Sequence, residues 1–161
     1  MGIQIITADV MAGLAQLPDE SVHCCITSPP YWGLRDYGVA GQIGLEDTPA
    51  AFIARMVEVF AEVKRVLRKD GTCWVNMGDA YAGAWGAETR GGPPSDKSTL
   101  QGNGHVGGGP KLKALTATGG LKRTPGIKPK DLIGMPWRVA FALQADGWWL
   151  RSDIIWAKPN P

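Results

Sequence analysis

An α/β fold built on a Rossmann-like sheet is what this sequence predicts, and three observations carry the prediction. Apolar runs of strand length alternate with stretches of helical period, in the order strand–helix–strand–helix–strand–loop–helix–strand. The longest helical stretch, from Glu46 to about Arg68, places Phe52, Met56, Val59, Phe60, Val63 and Leu67 on one face. The apolar run Val22-His23-Cys24-Cys25-Ile26 stops abruptly at Thr27-Ser28-Pro29-Pro30-Tyr31. In open α/β sheets, ligands bind outside the carboxyl ends of such strands.

Each element has its own local reason. Ile3-Gln4-Ile5-Ile6 reads as a first strand, ending at Thr7-Ala8-Asp9. Met11 to Leu17 reads as a short helix, and Asp9 stands where an N-cap would be. Pro18-Asp19-Glu20-Ser21 turns the chain into Val22–Ile26, an apolar, partly β-branched run that predicts a buried strand. Neither following proline has an N–H, and Ser28 is pushed out of the helical region by Pro29. The product is a stiff extended elbow with a hydroxyl and free carbonyls on one side and the Tyr31 ring on the other. Trp32 to Gly44 is a glycine-punctuated loop beside it, containing Arg35, Asp36 and Tyr37.

Glu46-Asp47-Thr48-Pro49 is a helix start, with acidic residues and proline in the first turn, and Lys69-Asp70-Gly71 is its stop. Thr72 to Met77 follows as a strand, with a second polar exit at Gly78-Asp79-Ala80-Tyr81. Beyond a glycine-rich segment, Asp131 can cap a helix that carries Pro136 near its first turn and continues from Trp137 to Ala145. Trp148 to Trp156 reads as a long final strand, broken by Pro159-Asn160-Pro161.

Residues 83–129 differ in character from the rest. Twelve glycines fall between Gly83 and Gly126, which predicts a flexible insertion rather than core. From Gly83 to Lys130 there are eight basic and two acidic residues, a local charge of +6 in a chain whose total is +2. Such a segment suits a nucleic-acid backbone, although a solvated surface insertion has the same composition. Gly102-Asn103-Gly104-His105-Val106-Gly107 matches a dinucleotide fingerprint by letter. It has a polar stretch before it and Gly108-Gly109-Pro110 after it, so it lacks the strand and helix that the fingerprint requires.

Composition narrows the class. At 161 residues the chain has the length of one domain. Cys24, Cys25 and Cys73 make no Cys-x-x-Cys pair, and His23 and His105 have no metal spacing, so a reduced, cytosolic protein without bound metal is expected. The N-terminus has no signal-peptide pattern, and no apolar run reaches the length of a membrane span.

Ser28-Pro29-Pro30-Tyr31 resembles the signature of the amino-methylating DNA methyltransferases, Ser/Asp/Asn-Pro-Pro-Tyr/Phe/Trp. The resemblance continues through Thr7-Ala8-Asp9, Leu17-Pro18-Asp19, Asn76-Met77-Gly78-Asp79-Ala80-Tyr81 and Trp156-Ala157-Lys158-Pro159-Asn160-Pro161. It implies an S-adenosylmethionine-dependent methyltransferase fold and transfer of a methyl group to N4 of cytosine or N6 of adenine in double-stranded DNA. A base amino group is a poor nucleophile, because its lone pair is delocalised into the ring. Acceptors aimed at its hydrogens draw the nitrogen toward tetrahedral geometry. Ser28 and the Pro29 carbonyl are the candidate acceptors, Pro30 stiffens the elbow, and Tyr31 is the face on which a flipped base stacks. No covalent enzyme intermediate is needed, so the strand cysteines are structural. Serine in the first position is commoner among the N4-cytosine enzymes.

By the same resemblance, Asp9, Ser28 and Pro29 border the S-adenosylmethionine site, while Tyr31, Trp32, Arg35, Asn76, Asp79 and Lys158 face the substrate. The resemblance also implies a cytoplasmic enzyme of restriction-modification, in a bacterial or phage-infected cell. The Phe-x-Gly-x-Gly loop with which the family embraces the cofactor is absent from this sequence. Residues 1–161 are therefore expected to be a partial catalytic domain, with a C-terminal half on the same or a partner chain. A non-catalytic DNA-binding remnant, half of a split enzyme, and an RNA or protein methyltransferase stay open as alternatives.

Overall fold

A computed structural model describes residues 2–34, 36–82, 127–128 and 131–157. The element order is α1 (Val10–Leu14), β1 (Val22–Thr27), α2 (Pro49–Val66), β2 (Leu67–Val75) and α3 (Met135–Ala145). β1 and β2 pair in parallel, with α2 in the crossover between them. The chain divides into two compact units. One comprises Met1–Pro29, Ile53–Met77 and Met135–Pro161, and the other Pro30–Phe52 and Gly78–Gly134.

α2 forms where its apolar period requires it. Thr48 Oγ1 accepts from the Ala51 N–H at 3.1 Å, and Pro49 opens the helix. Glu46 and Asp47 lie ahead of the first turn rather than within it. Phe52, Met56, Val59, Phe60 and Val63 are all buried, as the stripe predicts. Leu67 is buried too, but the helix ends at Val66 and Leu67 opens β2.

In the first unit, β1 and β2 run in register from Cys24↔Thr72 to Thr27↔Val75, and an irregularity separates this run from Val22↔Leu67. Gly71 sits in that irregularity, where an added Cβ would lie 2.9 Å from the Arg68 carbonyl oxygen and 3.2 Å from that of His23. Lys69-Asp70-Gly71 thus falls inside β2 and does not terminate the helix. Arg65 ties α2 to the turn before β1. It pairs with Asp19 and Glu62 and donates to the Leu14 and Leu17 carbonyls. At the end of α3, Lys64 Nζ donates to the Asp146 carbonyl, and Trp148 meets Phe60 edge-on at 6.2 Å.

Several expectations are corrected here. Residues 3–6 and 148–156 form no strand, because no described segment offers them a ladder of hydrogen bonds. β1 forms but is not buried, and Ile26 is 81% exposed. Among the described residues β2 is its single neighbour, and nothing covers it. α1 stops at Leu14 and buries none of its residues. α3 starts at Met135, so Asp131 does not cap it. Asp131 instead joins the antiparallel bridge Tyr81↔Leu132, where its carbonyl accepts from the Ala82 N–H at 2.7 Å.

That bridge belongs to the second unit. There Ala82 and Ile133 are buried, and the loop after Tyr31 is pinned by Trp32, whose indole N–H donates to the Glu46 carbonyl at 2.8 Å. Residues 83–126, which hold nearly all of the expected insertion, lie outside the described residues.

Candidate active site

The elbow begins where the ladder ends. The Asn76 N–H donates to the Thr27 carbonyl at 2.9 Å, which carries the pairing of β1 and β2 to their last residues. Ser28 is the next residue and has no ladder partner. Its side chain is exposed, and Pro29 is half-buried. Among the described residues, neither the Ser28 hydroxyl nor the Pro29 carbonyl is engaged in a hydrogen bond. Two acceptors therefore stand at the carboxyl end of a strand, on backbone that proline keeps extended. The Asn76 side chain is exposed at the neighbouring strand end.

Tyr31 stands in the second unit, where glycines surround it. Its carbonyl accepts from the Leu34 N–H at 3.3 Å. A Cβ on Gly44 would lie 3.1 Å from that same oxygen, and Gly44 has φ +105°. Gly44 is held in turn, its carbonyl accepting from the Gly33 N–H and its own N–H donating to Glu46 Oε2. A Cβ on Gly78 would lie 2.8 Å from Tyr31 Cε2. The ring is half-buried and keeps accessible surface.

The remaining expected residues divide. Asp9 is the N-cap of α1, its Oδ1 accepting from the Met11 N–H at 3.0 Å. Trp32 is buried and anchors its loop. Asp79 is exposed, and its Oδ1 accepts from the Ala80 N–H at 2.8 Å, a local turn contact. Arg35 and Lys158 lie outside the described residues.

Sequence reasoning missed two relationships. Gly44 and Gly78 abut Tyr31, and the one available signal was a glycine just past a strand exit. Cys25 and Cys73 are register partners on β1 and β2. A hydrogen bond from Cys73 draws the Cys25 thiol down to about 7, against an opposing push from burial. Cys73, the donor of that bond and itself partly buried, is pushed up. Among the described residues, no group of three His, Cys, Asp or Glu side chains could hold a metal, and no helix is long and apolar enough to cross a membrane.

The residues that would face S-adenosylmethionine keep polar atoms able to do so. The Asp9 carboxylate caps α1 through Oδ1 alone, which leaves its Oδ2 able to accept a further bond, and the Ser28 side chain is exposed.

Comparison with known proteins gives a consistent result. Residues 22–161 match the N6_N4_Mtase family, described as DNA methylase. The chain is 49% identical over 160 residues to the Type II methyltransferase M.Cfr9I of Citrobacter freundii, covering 99% of this chain and 47% of that protein. It is 46% identical to M.SmaI of Serratia marcescens, covering 98% and 48%. It is 38% identical to M.SfiI of Streptomyces fimbriatus, covering 97% and 30%. The chain thus spans about half the length of the first two relatives and less of the third. No solved structure matches it.

Proposed function

The chain belongs to the N6/N4 DNA methylase family, and on that premise we propose that it is the base-binding half of a Type II DNA methyltransferase that modifies an exocyclic amino group. The observation that carries the reading is the pair of unengaged acceptors, the Ser28 hydroxyl and the Pro29 carbonyl, one and two residues beyond the last ladder bond of β1. A flipped base stacks on Tyr31, and its amino group donates to those two oxygens. Proline rigidity means the acceptors need no reorganisation as charge develops on the nitrogen. The favoured target is N4 of cytosine, because the Ser28 hydroxyl can also donate toward ring N3. Arg35, Lys158 and the basic segment contact DNA. The methyl donor is S-adenosylmethionine, and the enzyme works in the cytoplasm beside a restriction endonuclease.

The second half is part of the proposal. Ile26 on β1 is 81% exposed and Trp149 88%, with Trp156 also largely exposed. Large apolar side chains left this exposed suit an interface. Relatives about twice as long as this chain have the residues to cover it, to pair 3–6 and 148–156 into a larger Rossmann-like sheet, and to wall the cofactor.

The test supplies labelled S-adenosylmethionine and unmodified DNA to the chain, alone and mixed with the C-terminal half of the Citrobacter freundii relative, and digests the DNA to nucleosides. Labelled N4-methylcytosine from the mixture is expected. Labelled N6-methyladenine would overturn the choice of base. No label in either sample, with DNA retained by the chain, would point to a non-catalytic DNA-binding protein.

A further inference from the structure

We propose that Gly78 is a positioning residue for Tyr31, its bare backbone forming the wall that holds the ring where a nucleobase can stack on it. This rests on the reading of Tyr31 as the stacking face. A Cβ on Gly78 would lie 2.8 Å from Tyr31 Cε2, 3.3 Å from Cδ2 and 3.5 Å from Cζ. Cδ2 and Cε2 share one side of the ring and Cζ is its tip, so the glycine backbone lies nearest that side.

Conformation does not explain the glycine. Gly78 is absent from the glycines with positive φ, so its backbone is one an L-residue can adopt. The ring is what excludes a side chain. A contact at 2.8 Å is one that a Cβ does not make, so alanine at 78 forces the ring or the backbone to move.

The ring has little freedom to yield at its root. The Tyr31 carbonyl is held by the Leu34 N–H and faces Gly44, whose Cβ position lies 3.1 Å from that oxygen and 3.3 Å from Pro30 Cβ. Trp32, the next residue, is buried and bonded to the Glu46 carbonyl. With the backbone fixed on both sides, displacement falls on the side-chain torsions of Tyr31. A ring turned off its rotamer presents a different plane, and stacking depends on that plane.

The experiment uses the full chain with ring-labelled tyrosine, of which there are three: Tyr31, Tyr37 and Tyr81. In the wild-type chain, nuclear Overhauser contacts are expected between the Gly78 α-protons and the Tyr31 ring. Their absence would overturn the contact whether or not any variant folds. In Gly78→Ala, the Tyr31 ring resonances should shift while those of Tyr37 stay in place. An unmoved Tyr31 would also overturn the contact.

Stacking is read separately, by quenching of a single-stranded oligonucleotide that carries 2-aminopurine. The wild type should quench it, and Gly78→Ala should bind about tenfold more weakly. In a Tyr31→Ala background, adding Gly78→Ala should bring no further loss, because the obstructed ring is gone. A full second loss there would show that Gly78 acts on folding alone and would overturn the positioning role. A wild-type chain that fails to quench while the Overhauser contacts are present would overturn the stacking reading itself, leaving Gly78 a packing residue.

Discussion

Asn76 donates its backbone N–H to the carbonyl of Thr27 at 2.9 Å, and this bond sets the point at which Ser28 leaves the sheet. The two strand exits are therefore tied together at their last residues. Whatever alters the pairing of β1 with β2 also alters the place from which the Ser28 hydroxyl is presented. The chemistry assigned to the elbow and the stability of the sheet can still be separated, because Ser28 is exposed and outside the ladder.

Ser28→Ala should lower turnover of the completed enzyme about 100-fold, the scale for loss of one preorganised partner of the reacting group. Affinity for DNA should stay within about twofold, and the melting temperature should not move, since an exposed residue outside the ladder is replaced. Initial-rate and filter-binding measurements on the same preparation check both halves of this expectation. Unchanged turnover would move the chemistry away from the elbow.

The chain alone should bind S-adenosylmethionine weakly or not at all, because residues 1–161 contain no Phe-x-Gly-x-Gly loop to close on it. Isothermal calorimetry checks this. Micromolar affinity would mean that residues 1–161 hold the cofactor without that loop.

Phe60 is 2% exposed and meets Trp148 edge to face, so Phe60→Ala should destabilise the first unit by about 3–5 kcal/mol. Trp148→Phe should be far milder. Its indole N–H is buried and has no hydrogen-bond partner among the described residues, so the substitution removes an unsatisfied donor along with the packing area. Urea melts of the two variants should separate them clearly.

Arg65 joins Asp19, Glu62 and the carbonyls of Leu14, at the end of α1, and Leu17, in the turn before β1. Arg65→Lys should lower the melting temperature nearly as much as Arg65→Ala, because an ammonium cannot reach the acid groups and the carbonyls at once. Full retention of stability in the lysine variant would mean that charge alone carries the contact.

Cys25 should be alkylated readily by iodoacetamide near pH 7 while Cys73 stays protected, since Cys73 keeps its proton and donates it to the Cys25 sulfur. Cys73→Ala removes that donor, and the Cys25 titration should return upward. The sign for stability follows from the lowered value. The folded chain favours the Cys25 thiolate, so this contribution is present above about pH 9 and is lost as pH falls through about 7. Peptide mapping after alkylation across that range checks the assignment.

Local rules made part of this protein legible. The burial of α2 follows from residues three and four apart, which a helix brings together whatever else the chain does. The β1 strand and its stop at Pro29 are equally local, because two prolines end a ladder wherever they stand. Residues 3–6 and 148–156 show the limit of such reasoning. Their apolar character is plain in the sequence, but a strand exists when a neighbour supplies N–H and C=O partners, and none of the described residues does so.

Tertiary structure alone decided where polar side chains spend their bonds. Asp9 reads as a cap, as a pocket residue or as both, and the position of the Met11 N–H shows that its Oδ1 caps α1. The pairing of Cys25 with Cys73 depends on register, which a shift of one residue would change. Gly78 against Tyr31 is a contact across 47 positions of sequence. Sequence by itself determined the elbow and the helix that supports the fold. Which backbone lies against the Tyr31 ring was set by the path of the chain between them, because contact between distant residues is a property of packing and not of order.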